Sequence, residues 1–376
     1  MEWYDNEERA LLGQTGDKFA KWVAENNNPE KLRERTTPGQ FNWGMIEQAA
    51  EAGLLCAPLP ENLGGAGLDP IGRAVVLERI GRGAAGAAVI FAVHWAGLIT
   101  LASLADDERI GNTLSQFHGK AGDARPWVCG LALPAPIIDS KNTSGLKAEK
   151  AGESVVLFGE FICPLHPVLT EQVLISMPKE REQMILLIPG KDLARFCQDA
   201  YPGTGLLEMP IVRLNLSGFE VPDDSVAVSG EKAKEATGIM RRAVYSGLSS
   251  AMAGNARAAA EFAREYCRQR IQTGRLIIEH QDVKRVLENM DILVEASGSM
   301  VASSSAMENS AQALERIRRA YIFAGTACEQ VCLDAIQCLG GYGYMEDYPL
   351  ERRLRDLKTI QCLLGSYALE RLGESY

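Results

Sequence analysis

Two sets of residues in this 376-residue chain have the types and spacing for chemistry. The first is the run Gln337-Cys338-Leu339-Gly340-Gly341-Tyr342-Gly343-Tyr344. Two adjacent glycines, with a third two residues on, end a helix and let backbone approach something closely. Alone, such a run is a helix C-cap and a tight turn. The second is Arg270, set in Tyr266-Cys-Arg-Gln-Arg-Ile-Gln-Thr-Gly-Arg-Leu-Ile-Ile-Glu-His-Gln281. A guanidinium offers a fixed, bidentate array of donors that suits a pyrophosphate. A lone Arg on a helix is ordinarily a solvated charge. Gln361-Cys-Leu-Leu364-Gly365-Ser366 carries no carboxylate. Of Tyr245 and Tyr367, an unperturbed phenol, with a pKa of about 10, is a poor base at neutral pH.

Metal chemistry has little to build on. The nine cysteines are scattered without a Cys-x-x-Cys, and Cys328 and Cys332, four apart on an expected helix, have no further ligands beside them. They read as ordinary buried thiols of a reducing cytosol. The four histidines are widely spaced. A net charge of −10 argues against a nucleic-acid surface and against anionic membranes. The acidic N-terminus lacks the pattern of a signal peptide, so a cytoplasmic location is expected. Gly83 to Ala105 is uncharged and long enough to cross a bilayer. It is rich in Gly and Ala, contains His94, Trp95, Thr100 and Ser103, and is tightly flanked by charge. It reads as a helix buried on all sides.

The elements that must position these residues fall into three parts. Residues 1–125 read as helices: an amphipathic one over Glu7 to Asn26, another over Asn42 to Ala52 ending at Gly53, and one opened by Asp69-Pro70. Between them, Pro58-Leu-Pro-Glu-Asn-Leu-Gly-Gly-Ala-Gly-Leu68 is a loop. Residues 126–229 show short apolar runs broken by turn residues: 127–133, 153–158, 172–177, 184–188 and 211–216, with Pro222-Asp-Asp224 as the close. This predicts an antiparallel β domain. Residues 230–376 read as a helical bundle, with helices over 236–272, 282–297, 311–338 and 357–372. Gly247, Ser249, Ser250, Ala251 and Gly254 would allow close helix contact.

Gln337 to Tyr344, its continuation into Tyr348-Pro-Leu-Glu-Arg and Arg355-Asp356, the Pro-Glu-x-x-Gly-Gly-x-Gly loop and the Arg270 to Gln281 element resemble motifs of the acyl-CoA dehydrogenases. The α, β, α order matches that family over essentially the whole chain. The resemblance implies an N-terminal helical domain, a middle antiparallel β domain and a C-terminal four-helix bundle. It also implies FAD. Arg270, Gln281, Gln337, Cys338, Leu339, Gly340 and Gly341 would contact the ADP half of an FAD bound mainly in a neighbouring subunit. Thr273 departs from the family's Phe.

The other half of the family pattern is missing. The family's catalytic Glu precedes the Gly of the last segment; Leu364 stands there, so no catalytic residue is assigned. The family's Leu-Thr-Glu-Pro strand, whose Thr reaches the flavin ring, matches Leu131-Ala132-Leu133-Pro134, and the Gly-Ser-Asp after it has become Pro136-Ile-Ile-Asp139. Its Trp-Ile-Thr strand matches Phe161-Ile162-Cys163, followed by Pro164; Cys is a weak donor and Pro has no N–H. The alternative base position on the long helix falls near Val244 and Tyr245, as does the CoA-contacting Arg, with Arg241 and Arg242 one turn earlier.

Losses on one side and retention on the other imply a division of labour. The expected role is the non-catalytic partner subunit of an α2β2 heterotetrameric acyl-CoA dehydrogenase. A homologous Glu-bearing chain would supply the flavin pocket and CoA site, and electron-transfer flavoprotein or a similar acceptor would take the electrons. Several such heteromers act on bulky, steroid-derived CoA thioesters. Two alternatives stand beside it: a homo-oligomeric flavin enzyme with other chemistry, such as a monooxygenase, and a flavin-free scaffold.

Overall fold

The computed structural model describes residues 7–26, 41–117, 128–132, 146–179, 182–200, 205–307 and 312–364. Helices α1 (Glu7–Asn26), α2 (Trp43–Glu51), α3 (Pro70–Gly83), α4 (Ala85–Ala102) and α5 (Glu108–Ser115) precede the strands. Gly53, just past α2, has φ 71°, as its role after a helix end requires. The α3 start is as expected: the Asp69 carboxylate accepts the Gly72 N–H at 2.6 Å, and Pro70 takes the first helical position. Helix α4 has the length and hydropathy to cross a membrane, but 89% of it lies inside the protein. Every residue from Ala85 to Leu98 is buried. Its polar groups are satisfied locally. Trp95 Nε1 donates to the Leu54 carbonyl at 2.9 Å, and the Thr100 hydroxyl donates to the Ala96 carbonyl at 2.7 Å.

The middle region forms two four-stranded sheets. One has the order β1 (Cys129–Ala132), β4 (Gln172–Lys179), β5 (Glu182–Pro189), β8 (Val226–Ser229); the other runs β2 (Lys147–Ala151), β3 (Ser154–Cys163), β7 (Val212–Pro222), β6 (Cys197–Ala200). Val155, Leu157, Phe161, Val173, Ile175, Leu214 and Leu216 pack in the apolar core between them. The domain is mixed rather than antiparallel, because β1 pairs with β4 in parallel, Leu131 opposite Leu174. The chain leaves β1, builds the β2–β3 hairpin in the other sheet, and returns in the original direction, which a long connection permits. Pro222-Asp223-Asp224 does not close the domain. A single 3₁₀ turn over Asp223–Ser225 hands the chain back to the first sheet as β8.

Four further helices follow: α6 (Glu231–Gln269), α7 (Gln281–Ser305), α8 (Ala313–Leu339) and α9 (Leu350–Cys362). A two-residue hairpin, β9 (Ile271–Gln272) and β10 (Arg275–Leu276), joins α6 to α7, with Thr273 (φ 51°) and Gly274 (φ 79°) both left-handed at its tip. Helix α9 begins seven residues before the expected 357, since Pro349 ends the preceding turn and precedes the helix start. Residues 365–372 of the expected helix lie outside the described residues.

The small residues of α6 do what their sizes suggest. A Cβ on Gly254 would lie 2.0 Å from the Glu78 carbonyl oxygen of α3, and one on Gly247 would lie 2.6 Å from the Ala92 Cβ of α4. From the other side, a Cβ on Gly81 would lie 2.8 Å from the Ala251 carbonyl. So α6 touches α3 and α4 nearly backbone to backbone, and the helices from both ends of the chain share one hydrophobic core. Gly254→Ala is expected to destabilise the chain by about 3 kcal/mol, because the obstacle is backbone and cannot rotate away. Urea unfolding checks this; an unchanged midpoint would show that the seam is loose.

Candidate functional site

The functional residues expected from sequence collect in two places, both attached to α6. The first is at its C-terminal end. The helix stops at Gln269, and Arg270 turns extended (φ −82°, ψ 128°). Its N–H still donates to the Tyr266 carbonyl at 3.0 Å, and its carbonyl accepts the Ile277 N–H at 2.8 Å. Arg270 is therefore held at the root of the hairpin with its side chain exposed. The guanidinium carbon lies 5.7 Å from the Tyr342 ring centroid, in cation–π range.

Tyr342 belongs to the glycine turn, so the structure brings Arg270 and Gly340-Gly341 together. Gly340 has φ 60° and ψ −132°, a backbone state for which Gly is suited, and its N–H donates to the Gln337 carbonyl. Gly341 differs: its φ is not in the left-handed region, and an added Cβ would meet nothing within 4 Å. Nothing inside the described chain requires Gly there. Its bare backbone faces outward, where a ligand or another chain could approach. The turn rests on an aromatic floor. Tyr342 and Tyr348 are 5.7 Å apart, Tyr266 and Tyr342 6.4 Å, and Phe262 and Tyr348 6.2 Å.

Gln337 is exposed beside this turn. Gln281, exposed at the first position of α7, follows the hairpin. Cys338 and Leu339 are different. Leu339 is 4% exposed and packs into the helical core, and the Cys338 side chain is half-buried. Only their backbone could serve a ligand. Thr273 and Arg275 of the hairpin both reach His280, at 3.3 and 3.0 Å, a grouping sequence reasoning did not anticipate. This face offers exposed cationic and amide donors and open glycine backbone, which fits a phosphate-bearing group.

The second place is near the middle of α6. Val244 and Leu248 meet Val93 of α4, Leu131 of β1, Ile162 and Pro164 at the end of β3, and Leu363 and Leu364 just past α9. The space left between them is about 10 Å³, room for about one water molecule. Every lining side chain is apolar. Among the described residues no carboxylate or hydroxyl lines it.

Strand register corrects one expectation here. Side chains alternate along β3, so Phe161 and Cys163 point between the two sheets and are fully buried there, while Ile162 and Pro164 face the crevice. The Cys163 thiol donates to the Leu165 carbonyl at 3.0 Å, and burial pushes its pKa up to about 12. It is an inert core thiol. Ala132 pairs with Ile175 at the end of β1. Leu133, Pro134, Pro136 to Asp139, Gly365, Ser366 and Tyr367 lie outside the described residues. Tyr245 turns away from the crevice, its ring 5.2 Å from that of Tyr321.

Helix α9 delivers Leu363 and Leu364 to the crevice and is fixed by buried polar contacts. Arg352 pairs with Glu208, whose carboxylate lies against Gly86 at the N-terminal turn of α4, where a helix favours negative charge. Asp356 accepts the Leu206 N–H at 2.6 Å; burial, and then the Glu208 carboxylate, lift its pKa to about 6. Arg353 reaches the Arg82 carbonyl at 3.0 Å and Asn255 Oδ1 at 3.1 Å. Gln361 Nε2 donates to the Gly325 carbonyl at 2.9 Å. From Leu248 to Arg270 runs twenty-two residues of α6, roughly 33 Å at the rise of an α-helix.

His94 sets two walls of the crevice. It follows Val93 on α4, accepts the Cys129 N–H of β1 at Nδ1 (3.0 Å), and therefore donates from Nε2 to the Leu55 carbonyl (3.1 Å). Burial holds its pKa down at about 4. An unfolded His takes up a proton near pH 6.5, so this group's stabilisation is present above about 6.5. It is lost as pH falls toward about 4. Between those values the unfolding free energy of the native chain should fall more steeply than that of His94→Gln. Parallel slopes in urea titrations across pH would contradict this.

Comparison with known proteins defines the class of this fold. The model for the acyl-CoA dehydrogenase N-terminal domain matches residues 7–116, and that for the acyl-CoA dehydrogenase C-terminal domain matches residues 240–372. An acyl-CoA dehydrogenase of Bacillus subtilis (strain 168) is 27% identical over 340 residues, 89% of each chain. The 3-sulfinopropanoyl-CoA desulfinase of Paraburkholderia xenovorans (strain LB400) is 27% identical over 332 residues, 85% of this chain and 84% of its own. The solved structure of butyryl-CoA dehydrogenase from Megasphaera elsdenii superposes with a TM-score of 0.80 over 98% of this chain and 97% of its own, at 18% identity. The chain belongs to the acyl-CoA dehydrogenase family, with helical N- and C-terminal parts around a mixed β middle.

Proposed function

We propose that this chain is the non-catalytic subunit of a heteromeric, FAD-dependent acyl-CoA dehydrogenase. A homologous chain carrying the catalytic Glu would bind the flavin ring and the acyl-CoA and perform the α,β-desaturation. This chain would contribute Arg270, Gln281, the Gln337 to Gly341 turn and its bare Gly341 backbone to the ADP end of that FAD. The assembly would be an α2β2 heterotetramer with electron-transfer flavoprotein, or a similar acceptor, downstream.

The observation that carries this reading is the opposite character of the two places on α6. The crevice is apolar, has about 10 Å³ of space and holds Leu364 in its wall. The far end is open, cationic and rich in exposed backbone. A chain serving its own cofactor needs the first to be a pocket. A chain serving a neighbour's needs only the second.

The test is flavin content. Purified alone, the chain should show no absorbance near 450 nm; co-expressed with a Glu-bearing homologue, the complex should be yellow. Arg270→Ala should lower FAD retention in that complex by about tenfold or more, equivalent to losing roughly 1.4 kcal/mol or more of a charge-assisted contact. A yellow, catalytically competent isolated chain would sink the proposal in favour of a self-sufficient flavin enzyme. A colourless complex would favour a scaffold. Leu364→Glu supplies a second check. It places an unpartnered carboxylate in an apolar wall, so it should destabilise the isolated chain by about 2 kcal/mol or more and yield no turnover. Appearance of dehydrogenase activity in that variant would show that only the base was missing.

A further inference from the structure

The hairpin between α6 and α7 carries two guanidinium groups that the chain leaves without a counter-charge. Other arginines nearby are neutralised. Arg264 pairs with Asp291, Arg268 lies 3.6 Å from Glu265, and Arg285 lies 3.6 Å from Asp282. Arg270 and Arg275 are exposed, and neither forms an ion pair with a carboxylate among the described residues. In a chain of net charge −10, this is a local place for an anion.

Register puts the two arginines on one face. The Arg270 carbonyl accepts the Ile277 N–H at 2.8 Å, Leu276 opposes Ile271, and Arg275 opposes Gln272. Opposed residues share a face of a hairpin, and so do residues two apart. Arg270, Gln272 and Arg275 therefore share one. Arg275 is the diagonal neighbour of Arg270, a separation of about 7–8 Å between Cα atoms that long side chains span. Arg270 also meets the Tyr342 ring of the glycine turn.

Arg275 is held in place by a hydrogen-bonded relay. Its Nη2 lies 3.0 Å from His280 Nδ1. A guanidinium only donates, so Nδ1 accepts and the ring proton sits on Nε2. Nε2 donates in turn to the Thr273 hydroxyl at 3.3 Å, and that hydroxyl donates to the Gln272 carbonyl at 2.7 Å. Thr273 closes the relay from a left-handed backbone (φ 51°), a state rare for a β-branched residue. His280 takes one of the five N–H donors of Arg275. The others have no partner among the described residues.

We propose that Arg270 and Arg275 together bind a diphosphate group, one guanidinium to each phosphoryl unit, with His280 as the residue that positions Arg275. A diphosphate carries its charge on two adjacent groups, and a planar guanidinium fork pairs with such oxygens through two parallel N–H···O bonds. A single cation holds one phosphoryl group and leaves the other to water. The identity of the diphosphate as the ADP end of FAD rests on the function proposed above; the two-cation geometry does not.

The experiment is isothermal titration calorimetry of the flavin-free full chain, at low ionic strength, with ADP, inorganic pyrophosphate and AMP. ADP and pyrophosphate should bind about tenfold more tightly than AMP, the margin of one more charge-assisted pair. Arg275→Gln keeps a planar group without the charge. It should lower ADP affinity about tenfold and leave AMP affinity nearly unchanged, since Arg270 remains. His280→Phe removes the acceptor and should narrow the margin; His280→Asn supplies a carbonyl in place of Nδ1 and should restore it. A merely weakened hairpin lowers ADP and AMP affinity alike, and that result overturns the proposal. So does a native chain that binds neither, that prefers ADP over AMP but ignores pyrophosphate, or that keeps its ADP preference after Arg275→Gln. Flavin content decides the assembly and the ADP-to-AMP ratio decides this site, so either reading fails without the other.

Discussion

The Glu78 carbonyl occupies the place a Cβ at position 254 would need, and the helical frame is arranged around that approach. Once α6 lies this close to α3, its other contacts are constrained. Ala251 falls against Gly81, Gly247 falls against Ala92 of α4, and Arg257 reaches the buried Glu78 carboxylate at 2.8 Å. The face of α6 carrying Val244 and Leu248 is then directed at the end of β3 and the chain after α9. Its far end is directed into the aromatic floor under the glycine turn. Steric exclusion at a few small residues thus decides where both candidate sites lie.

Buried polar contacts complete what close packing begins. Burial of apolar surface is not directional, so by itself it sets no register for an apolar helix such as α4. His94 and Trp95 set it by bonding to the carbonyls of Leu55 and Leu54, and His94 also takes the Cys129 N–H. The Arg352–Glu208 pair and the Asp356–Leu206 bond do the same for α9. Removing one partner from such a buried set leaves an uncompensated group, which costs far more than the bond itself contributes. These contacts fix the position of Leu364.

Much of this frame was legible in the sequence, and the exceptions have physical causes. The small residues of α6, the Asp69-Pro70 cap and the buried Gly/Ala helix could be read because each is a local property of size, capping or hydropathy. Strand β2, Lys147-Ala-Glu-Lys-Ala151, could not: it is an edge strand with mostly exposed side chains, and its polar composition carries no strand signal. Nor could the parallel β1–β4 pair, since pairing direction depends on the path of the connection. Of the site, Arg270 and the glycine turn were legible from residue type, and Gly341 gained meaning only when its Cβ direction proved empty. Ile162 and Pro164 were missed in favour of Phe161 and Cys163 because a shift of one residue reverses which side chains face the crevice.

The shared helical core has a consequence for how the molecule is assembled in time. Phe19, Phe91, Met252 and Tyr321 belong to one contiguous cluster, whereas the space between the two sheets is a core of its own. The first helices of the chain therefore have nowhere to bury α4 until α6, synthesised well over a hundred residues later, has emerged. Until then α4, the most apolar of the described helices, is an exposed segment that resembles a membrane span. The nascent chain must keep it soluble through the synthesis of the entire β region, so the period of greatest vulnerability to aggregation is set by the distance between Ala85 and Gly254 along the chain.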